Sequence, residues 1–224
     1  RGLSALTTLS YKINDKNTVG VQFNGGHNFS AKREKTKTIS NQNEQIIKDF
    51  STNSRTEGDG DNYNLNLNFT HKFDTIGKKF SVDLDYMSNT GANGNDFISD
   101  MYFEKERKSI LANNLNDKDI QNISGKVDFY FPYKKGTWEF GSKVSFTESD
   151  YKLNSVFTDI STNENLMTQN DHFNYTENVE SLYLSYQRKL SDKWSTKIGL
   201  RGEFMQSKAN SITTNTVTEK EYFK

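Results

Sequence analysis

The stretch SLYLSYQRKLSDKWSTKIGLRGEF, residues 181–204, decides the fold. After the polar turn Ser191-Asp192-Lys193, the residues Trp194, Ile198, Leu200 and Phe204 share one face of an extended chain, and Ser195, Lys197, Gly199, Arg201 and Glu203 share the other. Alternation with a period of two makes this a β-strand with one apolar and one polar side. Before the turn, Leu182, Leu184 and Tyr186 alternate with Ser181, Tyr183 and Ser185. Two such runs joined by a short turn pair antiparallel.

The same unit recurs upstream. Leu3, Ala5, Leu9, Tyr11 and Ile13 lead through the polar cluster Asn14-Asp15-Lys16-Asn17 to Val19, Val21, Phe23, His27 and Phe29. Tyr63, Leu65, Leu67, Phe69 and Phe73 lead through Asp74–Lys78 to Phe80, Val82, Leu84 and Tyr86. Ile123, Gly125, Val127, Phe129 and Phe131 lead past Pro132 and Lys134-Lys135-Gly136 to Trp138, Phe140, Val144 and Phe146. Proline cannot donate to a ladder, so Pro132 belongs at a strand end or turn. The turns centre near Asp15, Ile76, Lys134 and Asp192, a spacing of about 58–61 residues, and a fixed period signals a repeated supersecondary unit. The fourth unit has an irregular start. Phe173, Tyr175 and Val179 are odd-numbered and Leu182, Leu184 and Tyr186 even, so the apolar phase flips near Glu180. Either a β-bulge adds a residue there or the strand changes surroundings.

Polar stretches separate the units: Ser30 to about Asn62, Ser88 to about Asn122, and Thr147 to about Asp171. Structureless loops of this length are uncommon in compact domains, whereas membrane barrels have long loops at one end and short turns at the other. The expectation is an all-β, antiparallel transmembrane β-barrel segment of eight strands in four hairpins, with short periplasmic turns and long extracellular loops. Flanks such as Lys32–Ile39 extend the strands, and the tail beyond Phe204 is polar with no further strand.

Composition is compatible with that reading. Only 32% of residues are hydrophobic and mean hydropathy is -0.88, yet aromatics reach 13%, too many for a disordered chain. A barrel wall that is apolar on one face only has this composition, as does a soluble sandwich with long polar loops. The 29 basic and 29 acidic residues balance, so nothing draws the chain electrostatically to nucleic acid, and none is expected as a partner. Cysteine is absent, which removes thiol chemistry and disulfides. No apolar run reaches the length of a transmembrane helix. The chain opens without a signal peptide, which reads as a removed leader or an internal fragment.

Three features favour lipid over a protein core as the partner of the apolar faces. Aromatics bracket the strands: Tyr11, Phe73, Phe80, Phe131, Trp138, Tyr186 and Trp194 lie by the short turns, and Phe29, Tyr63, Tyr86, Phe146 and Phe204 at the far ends. Two such girdles belong at the two membrane interfaces. Roughly ten residues at ~3.3 Å rise and ~45° tilt span about 23 Å, close to the ~25 Å apolar band of an outer-membrane barrel. The asymmetry of turn and loop length holds in every unit. A soluble secreted β-sandwich that binds glycan accounts for the alternation but not for the girdles or the asymmetry.

Four stretches carry a family resemblance: LSYKINDKNTVGVQFNG (9–25), KVDFYFPYKKGTWEFGSKVSF (126–146), FNYTENVESLYLSY (173–186) and KLSDKWSTKIGLRGEF (189–204). With Phe173, Tyr175 and Glu177 in the third, and Trp194, Ser195, Gly199, Leu200, Arg201 and Glu203 in the fourth, the chain resembles the outer-membrane β-barrel region of Bacteroidetes-type TonB-dependent receptors. The resemblance implies nutrient uptake across the outer membrane, with long loops that capture a small ligand. Its implied partners are outer-membrane lipid, the rest of the barrel with its plug domain, and the TonB complex, reached through an N-terminal region that precedes this chain. Receptors of this kind have about twenty-two strands, so residues 1–224 read as a single segment of a larger barrel, which taken alone is an open curved sheet with two unpaired edges. A complete small barrel, and a passive outer-membrane channel or structural barrel, are the alternatives.

No catalytic constellation, cofactor motif or metal-ligand spacing is present, and the chain reads as a non-enzyme. His27 and His71 fall on the apolar phase near strand ends, as interfacial rings do, and His172 has no metal-ligand partner by spacing. Asp83 and Asp85 sit on one strand face, where a wet lumen explains them as well as acid–base work would. Asp59-Gly60-Asp61 and Asn89–Asp96 lack the EF-hand pattern. The lumen-facing charges are Asp83, Asp85, Lys126, Asp128, Glu139, Lys143, Lys197, Arg201 and Glu203. They are expected to pair across strands, or, for Arg201 and Glu203, to dock the plug. Aromatics within Phe97–Phe103 and Tyr151–Phe157 are candidates for ligand contact.

Overall fold

The computed structural model of the chain describes residues 1–42, 45–103 and 106–224. They form nine strands: β1 (Gly2–Lys12), β2 (Asn17–Gln42), β3 (Gln45–Lys72), β4 (Lys79–Phe103), β5 (Glu106–Tyr133), β6 (Gly136–Asp159), β7 (Glu164–Lys189), β8 (Ser195–Ser211) and β9 (Thr216–Phe223). All nine belong to one sheet in strict sequence order. Every pairing is antiparallel. Each strand packs only against its chain neighbours, so the described residues form a meander with no second layer. That excludes the sandwich, whose two sheets must cover one another. The sheet is open: β1 and β9 do not pair.

The short turns fall where the polar clusters placed them. Gly77 supplies a φ of 111° in the second turn, and Lys134 adopts φ 55° in the third. The long excursions lie at the opposite end, but as ladder rather than coil. β2 and β3 stay paired from Asn17↔His71 to Gln42↔Gln45, and β4 and β5 from Lys79↔Tyr130 to Phe103↔Glu106. β6 and β7 meet at a turn over residues 160–163. The sequence hid these upper halves because both of their faces are wet, and alternation of hydrophobicity vanishes where neither face is buried. The tail corrects a second expectation. Residues 205–224 continue β8 and return as β9, paired from Ser211↔Thr216 to Phe204↔Phe223, so there are nine strands and not eight.

The phase flip near Glu180 contains no bulge. β7 keeps unbroken register with β6 and β8 across it, with Val144↔Glu180↔Phe204 and Ser145↔Val179↔Met205. Val179 therefore shares a face with Ser181 and Tyr183. Pro132 sits one residue from the end of β5, opposite Thr137.

Burial runs opposite to that of a soluble domain. Among the described residues, every buried one other than glycine lies on the polar phase: Ser99, Ala112, Ser124, Asp128, Ser149, Ser155 and Ser181. The apolar phase stays open, with Val144 55%, Leu182 71% and Leu200 78% exposed. A sheet that curls crowds the side chains of its concave face and spreads those of its convex face. The polar face is therefore the inside of the curve.

Candidate functional site

Cross-strand rows follow from the register. One concave row runs Thr70, Ser81, Asp128, Gly141, Tyr183, Arg201, and the next Asn68, Asp83, Lys126, Lys143, Ser181, Glu203. All nine predicted lumen residues lie on the concave face.

Four concave side chains gather around Asp128, which is 1% exposed. Its Oδ2 takes the Lys126 ammonium at 2.6 Å, and its Oδ1 accepts from the Tyr183 hydroxyl. Arg201 lies 5.6 Å from the Tyr183 ring centroid and pairs with Glu203 along its own strand. Gly141 stands opposite Asp128 on β6, where a Cβ would come within 2.7 Å of Asp128 Oδ1. A second group bridges β6 and β8 over β7. Glu139 Oε2 accepts from Lys197 Nζ at 2.7 Å and from Ser185 Oγ at 3.3 Å. Asp85 accepts from Asn66 Nδ2 at 2.7 Å. Asp83 and Lys143 share a row with Lys126 but make no side-chain bond among the described residues. Tyr183, Ser185 and Asn66 were not singled out from sequence. Their one signal is position: each falls on the polar phase between named charges.

The histidines make ordinary polar contacts. His71 bonds Asn17 at 2.7 Å and packs edge-on to Phe73, His27 bonds Asp61 at 3.0 Å, and His172 bonds Asp150 at 2.7 Å. Among the described residues no group of metal-ligating side chains converges.

The convex aromatics form two bands oblique to the rows. Traced onto β4 through the register, Phe29 stands level with Ala92, Tyr63 with Ser88, Phe146 with Tyr86, and Phe204 with Leu84. That is about 1.3 residues of drift per strand from β2 to β8. At ~3.3 Å per residue and ~4.8 Å between strands, the band makes roughly 40° with the rows. Near the short turns, Tyr11 stands level with Val82, while Trp194 lies about eight residues lower after seven strand steps, a parallel slope. Strands of outer-membrane barrels tilt by ~35–45°, and a horizontal interface drawn across tilted strands has this slope. Trp138 and Tyr186 pack at a tilt, with centroids 4.6 Å apart, in the lower band, and Phe80, Phe129 and Phe140 stack just above it at 5.7 and 5.0 Å. On β6 the bands, at Trp138 and Phe146, stand eight residues apart, about 20 Å along the normal at that tilt. Glu180 falls at the upper band, so the phase flips where β7 leaves the apolar zone.

The model of the outer membrane protein beta-barrel family matches residues 71–224. The chain belongs to that family. This outer-membrane β-barrel chain also aligns with solved structures. One is the unliganded ferric citrate transporter FecA, at 12% identity and TM-score 0.47, over 100% of this chain and 38% of that one. A second is FpvA of P. aeruginosa bound to heterologous pyoverdines, at 9% identity and TM-score 0.49, over 99% and 37%. A third is the siderophore receptor PiuA of Acinetobacter baumannii, at 10% identity and TM-score 0.33, over 99% and 45%. The chain thus spans less than half the length of these proteins. No curated protein matches it.

Proposed function

We propose that residues 1–224 are a segment of the wall of a larger TonB-dependent receptor barrel that takes up a nutrient and performs no catalysis. The inverted burial supports this reading most directly. A polar, charged concave face lines a lumen, and an apolar convex face between two aromatic bands meets lipid. The bands are the two membrane interfaces, with the short turns on the periplasmic side. Beyond the upper band, β2 to β7 continue for roughly fifteen residues, or about 38 Å of height at ~3.3 Å rise and ~40° tilt. That is a tall extracellular collar suited to ligand capture.

The network around Asp128 is the plug-facing patch of this wall. Asp128 is held by Tyr183 and Lys126, which leaves Arg201 and Glu203 at its rim, 46% and 35% exposed and presented to the lumen. A docked plug offers them a charged or hydrogen-bonding counterpart.

The deciding experiment is uptake in cells with and without an energised TonB complex. A receptor stops accumulating its solute when TonB is deleted or the proton gradient is collapsed. A passive channel continues. Arg201→Glu with Glu203→Lys tests the plug contact: a loosened plug admits a large hydrophilic antibiotic, whereas pure strand-to-strand pairing leaves antibiotic resistance unchanged.

A further inference from the structure

The collar segregates its charge. On β4 to β7 above the upper band, the convex positions include Asp96, Asp117, Asp119, Asp150, Lys152 and His172, while the concave positions from the level of Asn89 to that of Phe97 carry charge only at Lys118 and Asp171, of opposite sign, and the row above, at the level of Ser99, ends in Asp159 and Glu164. The rest of that inner wall is amide, hydroxyl, aliphatic and aromatic. Its centre is well defined. Phe97 and Phe157 flank the fully buried Ala112 and meet edge-on at 6.4 Å. The next row down is Asn95, Asn114, Ser155 and Gln169, an uninterrupted line of neutral hydrogen-bonding groups. The Asn95 Oδ1 atom is buried without a hydrogen-bond partner among the described residues, as is Asp171 Oδ1 one row below.

We propose that this inner patch, Phe97 and Phe157 above Asn95, Asn114, Ser155 and Gln169, is a binding surface for an uncharged, hydroxyl-rich solute of the oligosaccharide type. The proposal rests on the receptor reading above and adds the ligand class. An amide both donates and accepts, so a row of amides pairs with hydroxyls, which do the same. A fixed anion such as a metal chelate calls for Arg or Lys, because charge-assisted bonds are the strong ones, and the patch has none. Peptides bring termini and charged side chains that this surface leaves unmatched. The orphaned Asn95 oxygen needs a donor, which a ligand hydroxyl provides. The two rings offer an apolar platform to the C–H face of a sugar, and their fixed edge-on packing keeps the cost of ordering low.

The test uses the protein purified in detergent and a panel of neutral oligosaccharides, with ferric citrate and a charged hexapeptide as contrasts. At least one neutral oligosaccharide binds. Phe157→Ala and Asn114→Asp each weaken it at least tenfold, and affinity stays within twofold between 50 mM and 500 mM NaCl, because no screened charge contributes. Asp117→Asn, on the convex side, leaves binding unchanged and controls for folding. Binding by none of the neutral panel overturns the proposal. So does binding that the two inner variants leave intact, or salt-sensitive binding of ferric citrate or the peptide that those variants abolish. Uptake of the bound oligosaccharide that persists without TonB overturns the receptor reading and leaves the ligand class standing.

Discussion

Asp128 shows how one residue is committed by its surroundings. Truncation to alanine strands the Tyr183 hydroxyl and the Lys126 ammonium. Breaking a fully buried ion pair costs about 3–5 kcal/mol, but the Lys126 side chain is 38% exposed and rehydrates. The expected loss for Asp128→Ala is therefore about 1–3 kcal/mol, read as a lower urea midpoint for unfolding from lipid vesicles. Lys134 makes the opposite case. Its φ of 55° places an L-residue with a Cβ in the left-handed region, at a cost of roughly 1–2 kcal/mol. Lys134→Gly should add up to about 1 kcal/mol of stability, read as a higher midpoint. Asp74 sets a pH dependence. Its Oδ1 accepts from the backbone N–H of Lys78 at 2.9 Å, and of Ile76 and Gly77 at 3.0 Å. Those bonds, that from Lys78 first, hold its carboxyl below the usual range. The contribution is complete above the unfolded value of about 3.9 and disappears as pH falls through the lower folded value. Between pH 7 and pH 3 the midpoint of Asp74→Asn should consequently fall less than that of the parent.

At the scale of the strand, the face decides the cost of a substitution. Leu184 lies between the bands on the convex face, four residues below the level of Glu180, and Leu184→Lys puts an ammonium against lipid in the interior of the apolar zone, at about 2–4 kcal/mol. Asn68 lies at similar depth on the concave face beside Asp83. Asn68→Lys should stay within about 0.5 kcal/mol of the parent, so unequal costs of these two variants check the face assignment. Face was legible in the sequence because Val82, Leu84, Val127, Phe129, Leu182 and Leu184 alternate with polar neighbours wherever one side meets lipid. The upper halves and β9 were not, because in TVTEKEYF neither phase is apolar and nothing marks a side. The charges of the concave face were legible as a set but not as a network. Lys197 reaches Glu139 across an intervening strand, and only the register brings them together. Tyr183 was overlooked because an aromatic on the polar phase reads as an exception, whereas here its hydroxyl bonds the most buried carboxylate of the described residues.

The whole sheet ends in two open edges, and β1 shows how such an edge behaves. Arg1 and Phe29 exchange both backbone bonds, at 2.7 and 2.6 Å. In an antiparallel pair the bonded positions alternate, so the odd-numbered residues of β1 bond β2 and the even-numbered ones, Ser4, Leu6, Thr8 and Ser10, direct their N–H and C=O groups outward. All of β1 is exposed. An unpaired edge templates the next strand, which in a closed barrel is a neighbouring strand of the same wall. Refolded by itself into detergent micelles, the 224-residue chain should therefore associate edge to edge and elute as oligomers in light-scattering chromatography. Thr8→Pro removes an outward N–H without taking a bond from β2, and a proline on an edge strand blocks further pairing. It should shift the chain toward smaller species, whereas Leu9→Pro, which takes a donor from the β1–β2 ladder, should lower stability and leave association undiminished. Equal behaviour of the two variants would mean that the chain associates through its apolar convex face instead of its edge.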